Sequence, residues 1–203
     1  VAGSASKPVN NRKQQILESL AEQLESNTGK RITTAGLARA VGVSEAALYR
    51  HFPSKAYMFE GLIEFAEQAV FSRVNRVIDE KKDTETRCEL ILGVALGFSS
   101  RNPGITRLLL GEALIGEPER LRKRSGQYFS RLETQLRQVL REGRAADRRL
   151  RTDISSDVGA NLMLAVLEGR MRQFVRSDFS LSPLRHWEQQ WALLTQALFL
   201  PLD

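Results

Sequence analysis

The 203-residue chain has one cysteine, Cys88, and two histidines, His51 and His186. A single thiol excludes an internal disulfide framework and fits a reducing cytoplasm, so Cys88 reads as a small core residue. Neither histidine stands at metal-ligand spacing to the other or to Cys88. No HExxH, cysteine pair, phosphate-cradling glycine loop or GxSxG is present. The expectation is no enzyme, no catalytic residue, no metal and no cofactor. Apolar runs fall short of the ~20 residues that span a bilayer, so no membrane partner is expected. Nothing in the first residues reads as a secretory signal, and residues 1–6 are expected to be a flexible tail. Strand patterns, repeats and low-complexity tracts are missing too, which leaves an all-α reading.

What the chain does have is charge, unevenly placed within a net +6. Residues 1–55 carry eight Lys/Arg against four Asp/Glu, and residues 56–119 seven against eleven. Residues 120–151 carry eleven against three, and residues 152–203 four against six. The first block suits a polyanionic partner. The third is more basic but lacks groove-reading geometry, so it is either a solvated helix face or a second nucleic-acid surface.

Within the first block, residues 33–55 read TTAGLARAVGVSEAALYRHFPSK. Leu37, Ala38 and Val41 give one face to a helix starting near Thr33, and Gly42 breaks it by taking the left-handed conformation of a tight turn. Val43 points inward, and Ser44 caps a second short helix by accepting a backbone N–H. The pattern is a helix-turn-helix at about residues 33–52. Leu48 faces in, leaving Glu45, Ala46, Ala47, Tyr49 and Arg50 to face out, the two alanines letting the helix sit deep in a major groove. Thr33, Ser44, Tyr49, His51 and Lys55 are candidate phosphate ligands, and Arg31 and Thr34 complete the DNA-binding set. Arg12 and Lys13, ahead of the apolar stripe of a first helix over 10–26, reach phosphates or a minor groove, or simply solubilise.

Residues 54–80 form a long fourth helix with a core stripe of Phe59, Leu62, Ile63, Ala66, Val70, Val74 and Val77. Phe65 falls outside that stripe and Arg73 within it, eight positions and about 12 Å apart. They form either a contact surface or a covered phenylalanine beside a snorkelling arginine. A polar break at 81–83 leads to a fifth helix running to about 100, apolar all round and so buried. Leu90, Val94, Gly97 and Arg101 share one of its faces, which serves either close helix packing or a groove for a partner peptide, with Arg101 taking an acidic group.

A sixth helix is expected over 105–115 and a long, basic seventh after Pro118, with near-heptad Leu121, Ser125, Tyr128, Leu132, Leu136 and Val139 allowing coiled-coil-like packing. A charged loop follows at 143–152, then an eighth helix with Ile154, Val158, Leu162, Ala165 and Gly169 on one face. Ser182-Pro183 reads as a cap and first helical position, and Trp187, Trp191, Leu194 and Leu198 as the stripe of a ninth helix. Two tryptophans on one stripe exceed what a single helix pair hides. Helices eight and nine are therefore expected to form a homodimer interface, a four-helix bundle, with those four residues in it, the alternative being an intramolecular core.

The helix-turn-helix and the basic helix before it, residues 10–60, resemble the DNA-binding domain of the TetR family, whose motif ends in a similar LYRHFPSK run. The resemblance implies a nine-helix fold with a DNA-binding domain at 1–53 and a helical dimerisation and partner-binding domain at 54–203. Further stretches resemble one branch of that family, the bacterial nucleoid occlusion factors. They are ITTAGLA at 32–38, VGVSEAALYRHFPSK at 41–55, MFEGLIEF at 58–65, KDT at 82–84, RNPGITR at 101–107, QLRQVLRE at 135–142 and QFVRSDF at 173–179. That resemblance implies a cytoplasmic, nucleoid-bound homodimer on palindromic DNA that binds the C-terminal tail of the tubulin-like division protein FtsZ and blocks ring assembly. By motif, the tail surface carries over to Phe65, Arg73, Gly97, Arg101 and Asn102. Val94 stands where the branch has leucine, which weakens an apolar contact, and the arginine-rich 143–151 stretch departs from the branch. The alternative is a ligand-responsive repressor with a cavity lined by the fifth helix, Phe98 and Leu108.

Overall fold

A computed structural model describes residues 9–27, 31–81, 83–146, 150–151 and 153–200. The expected tail at 1–6, Lys30, Lys82 and part of the charged loop lie outside the described residues. Among the described residues the order is α1 (Val9–Ser26), α2 (Thr34–Val41), α3 (Glu45–His51), α4 (Lys55–Glu80), α5 (Thr84–Arg101), α6 (Pro103–Leu109), a 3₁₀ turn (Glu112–Leu114), α7 (Glu119–Ala146), α8 (Ser156–Arg176) and α9 (Trp187–Leu198). The fold is all-α, as expected.

Local chemistry sets most helix ends. Thr33 caps α2 by accepting the Gly36 N–H, Ser44 caps α3 through Ala47, Asp83 caps α5 through Thr86, and Ser155 caps α8 through Val158. Three ends differ from the sequence reading. α6 starts at Pro103 and stops at Leu109, because Gly111 turns left-handed at φ 82° before the 3₁₀ turn. α7 continues through residues 143–146, where a loop was expected. α9 begins at Trp187 rather than at Pro183. Arg170 explains the last: its Nε donates to the Pro183 carbonyl at 2.6 Å and its Nη2 to that of Arg185. A helix through Pro183 would need those carbonyls for its own ladder.

The core runs from α1 to α9 without interruption. α4 and α5 are antiparallel: Phe65 meets Phe98 with ring centroids 6.1 Å apart, and nearer the turn Arg87 donates to the Ile78 carbonyl at 2.8 Å. Tyr128 and Phe129 of α7 pack edge-on with each other, and Tyr128 edge-on with Phe71 of α4. Phe71 is buried although the sequence stripe omitted it.

The tryptophan expectation is corrected. Trp187, Trp191 and Leu198 are buried within the single chain, and Leu194 is partly buried against the same core. Arg170 stacks on Trp187, 5.6 Å from the ring, and so completes an inward-facing layer. The outward faces belong to Val158 and Leu162 on α8 and Leu193 on α9. The two large rings take the side of α9 that hides more area, while Glu188, Gln189 and Gln196 lie exposed with Leu193.

One contact is closer than any side chain would permit. A Cβ on Gly104 would lie 2.1 Å from the Ala21 carbonyl oxygen and 2.9 Å from the Glu25 nitrogen, so α6 rests on the backbone of α1. Three residues on, Arg107 Nη1 donates to the carbonyls of Leu24 and Asn27, each at 3.0 Å, where α1 ends. A cation is favoured at that negative end of the helix dipole. Gly104→Ala is expected to destabilise the fold by about 2 kcal/mol, as overpacking against rigid backbone does. Urea unfolding measures this, and a change within about 0.5 kcal/mol would contradict the contact.

Candidate DNA-reading face and partner groove

The turn between α2 and α3 forms as its residues dictate. Gly42 is left-handed at φ 72° and ψ 37°, and the Val43 N–H returns to the Ala38 carbonyl at 2.9 Å. Leu48 anchors α3 with no exposed surface, and Glu45, Ala46, Tyr49 and Arg50 are exposed. Ala47 and His51 are half-buried along the same helix. Thr34 Oγ1 donates to Glu45 Oε2 at 2.7 Å, which ties the first turn of α2 to the first turn of α3. The sequence reading held both residues as DNA candidates but gave no sign that they touch. Arg31, Thr33 and Ser44 lie exposed beside them, the last two with their hydroxyls already accepting cap bonds.

Lys55 is placed otherwise. Its ammonium pairs with Glu117 at 2.5 Å, donates to the Ile32 carbonyl at 3.1 Å and lies 5.7 Å from the Phe59 ring centre. Both side chains of the pair are largely buried. The expected phosphate ligand is instead a tie from the start of α4 to the strand of loop before α7, and local sequence carries no sign of so distant a partner.

On the other flank, Phe65 is 41% exposed beside the buried Phe98. Arg73 is exposed and donates to the Ala69 carbonyl at 3.0 Å, so the helical-wheel expectation of a half-buried arginine is corrected: it lies along the α4 surface. α5 is not buried all round; Leu90, Gly93 and Val94 are half-exposed while Ile91, Leu92, Ala95 and Leu96 are buried. Gly97 is buried beneath the Arg101 side chain, whose Nη1 would lie 3.5 Å from a Cβ added there. The cation thus sits over the notch, at the end of a long flexible stem. Asn102 Nδ2 donates to the Phe98 carbonyl at 2.8 Å. Phe65 and Asn102 also line a groove of about 250 Å³ whose far wall is Leu17 and Ala21 of α1, a contribution the sequence did not suggest.

Several described cations of the basic block are cross-braced. Arg120 reaches Glu60 at 2.7 Å, Arg124 bonds Glu67, Arg137 reaches Asp157 at 2.6 Å, and Arg131 stacks 3.9 Å over Phe71. Cys88 is fully buried, and desolvation, with Asp83 adding to it, pushes its thiol up to about 12. Almost no thiolate forms near neutral pH, so it is an inert core thiol.

A free recognition helix on a capped helix-turn-helix, joined to a helical body, defines a DNA-binding regulator of the tetracycline-repressor type. Residues 16–62 match the family described as "Bacterial regulatory proteins, tetR family", and residues 82–199 the SlmA-like family described as "Tetracyclin repressor-like, C-terminal domain". The nucleoid occlusion factors SlmA of Shewanella loihica and Shewanella woodyi are each 55% identical to it over 194 residues, 96% of this chain and 98% of theirs. The chain belongs to the SlmA family of nucleoid occlusion factors, within the TetR-type regulators. These are DNA-binding proteins and not enzymes. Among solved structures, the fatty acid degradation regulator FadR from Bacillus halodurans is similar with a TM-score of 0.77 at 14% identity, over 90% of this chain and 94% of that one. The regulator PfmR from Thermus thermophilus gives 0.74 at 21%, over 89% and 97%. At such identities the likeness shows the fold alone. No helix among the described residues is long and apolar enough to cross a membrane.

Glu117→Gln is expected to cost about 2 kcal/mol of stability, because it leaves a largely buried ammonium short of its counter-charge. The double change Lys55→Met with Glu117→Leu should cost less than the sum of the single changes in chemical denaturation. Additive losses would show that the pair contributes nothing beyond packing.

Proposed function

We propose that the chain acts as a homodimer on palindromic DNA at the nucleoid, holds the C-terminal tail of FtsZ there, and so prevents division-ring assembly over the chromosome. The observation that carries this is an open α4/α5 flank, with Phe65 exposed, Arg73 lying along α4 and Arg101 over the Gly97 notch. Phe65, Arg73, Val94, Gly97, Arg101 and Asn102 form the tail site. An acidic tail draws Arg101 off the notch, and an apolar side chain of the tail takes its place over Gly97. The name borne by the Shewanella relatives, nucleoid occlusion factor, supports the same role. Phe98 and Leu108, the residues that a ligand-responsive repressor was expected to set around its cavity, are buried in the continuous core.

On the DNA side, Glu45, Ala46, Ala47 and Arg50 face the major groove, while Arg31, Thr33, Thr34, Ser44, Tyr49 and His51 hold phosphates. Lys55 is left out of this set. The division into a DNA-binding unit at 1–53 and a partner-binding unit at 54–203 is retained, with the Lys55–Glu117 pair bracing the joint. Dimerisation uses the outward faces of α8 and α9, where Val158 is 60% and Leu193 65% exposed. Pairing through those faces sets two α3 helices about 34 Å apart, one turn of duplex.

Two substitutions test the proposal. Leu193→Asp is expected to yield a folded monomer in sedimentation analysis, with palindrome affinity lost; an unchanged dimer would refute the interface. Arg101→Asp should weaken a fluorescently labelled FtsZ tail peptide on the order of a hundredfold, since a like charge across an interface costs several kcal/mol. Its DNA affinity should stay unchanged. Wild-type peptide affinity in that variant would place the tail elsewhere.

A further inference from the structure

Three arginines are drawn into the protein, and two of them engage every nitrogen. Arg170 gives Nε to the Pro183 carbonyl, Nη2 to the Arg185 carbonyl and Nη1 to the Gln190 side chain. Arg87 gives Nε to Lys81 at 2.7 Å, Nη2 to Ile78 at 2.8 Å and Nη1 to Glu142 at 3.3 Å. Arg107 differs. It is only 8% exposed, yet it engages Nη1 alone, on the carbonyls of Leu24 and Asn27. Among the described residues, its Nε–Nη2 edge meets no acceptor and no carboxylate pairs with it. Carbonyl groups carry partial charge only, so the guanidinium has no counter-ion paired with it.

Arg107 lines a cleft of about 350 Å³ between the end of α1, the start of α4 and the 3₁₀ turn. Phe59 and Ile32 lie buried beneath it, Ala113 adds a half-buried apolar wall, Arg31 stands as a second cation, and Glu112 is on its wall. Lys55 and Glu117 also line it but neutralise each other. The lining therefore carries one net positive charge. Ile115, also in the lining, is 81% exposed, an apolar side chain with nothing over it.

We infer that this cleft is a binding site for a small monocarboxylate on a flat apolar body. The carboxylate takes the free Nε–Nη2 edge of Arg107 side-on, as a bidentate pair, with Arg31 adding attraction from the wall. The apolar body lies against Ile115 and Ala113, whose surfaces are open at the cleft. Glu112 disfavours a doubly charged anion such as a phosphate monoester. The site stands apart from the α4/α5 flank and does not rest on the FtsZ reading.

The test uses the ¹⁵N-labelled full chain, with the Arg107 Nε–Hε signal followed by NMR during titration with 2-naphthoate, 2-naphthalenemethanol or inorganic phosphate. 2-Naphthoate is expected to shift that signal and saturate it, with the neutral alcohol and phosphate each at least about tenfold weaker, as loss of a charge-assisted pair predicts. Arg107→Lys should weaken 2-naphthoate by about tenfold. Because that variant also alters the end of α1, Glu112→Lys serves as the second test at an exposed position, and should tighten binding several-fold. Equal binding of the alcohol, a silent Arg107 signal at millimolar naphthoate, or shifts confined to the α2/α3 face would each overturn the inference. So would an unchanged affinity in Glu112→Lys.

Discussion

α6 lies against α1 at a separation that only a residue without a Cβ allows, and the rest of the arrangement depends on it. Gly104 brings the two backbones together, and Arg107 then caps the last carbonyls of α1 from three residues along the same short helix. α1 packs in turn against the helix-turn-helix through the continuous core that holds Leu20, Leu24, Leu37 and Leu48. Lys55 and Glu117 add a second tie where α4 leaves α3. The orientation of α3 is therefore set by contacts made away from its exposed face. The same α1 supplies one wall of the groove that begins at Phe65, so the helix that packs against the helix-turn-helix also borders the proposed partner groove.

The charge blocks of the sequence find their meaning in pairs. The acidic residues of α4 and the basic residues of α7 face each other across the body of the protein, as Glu60 with Arg120 and Glu67 with Arg124. Each exposed pair contributes little to stability by itself. Their effect is on the surface: several described cations of the most basic stretch are turned toward the protein's own carboxylates.

Legibility followed the range of the interaction. The helix-turn-helix was readable because its determinants are local: the Thr33 and Ser44 caps, the left-handed Gly42 and the inward Leu48 all act within a few residues. Phe65 was readable as an outlier from its own helical stripe, and it is exposed. The tryptophan stripe was not, because periodicity reports that a face is apolar and not whether its cover comes from the same chain. Lys55 shows the same limit for a cation. A long side chain chooses among partners many residues away, and Glu117 leaves no trace near Lys55 in the sequence. The late start of α9 required knowing where Arg170 reaches.

The central claim is that α1 belongs mechanically to the helical body and not to a loosely hinged reading head. Native-state hydrogen exchange on the DNA-free protein tests it most directly. The amides of Leu20 and Leu24 should open with the same free energy as those of Ile91 and Leu92 in α5, in one cooperative unit. Should the α1 amides exchange through a separate opening of clearly lower free energy, the contacts of Gly104 and Arg107 would not carry the mechanical role given to them.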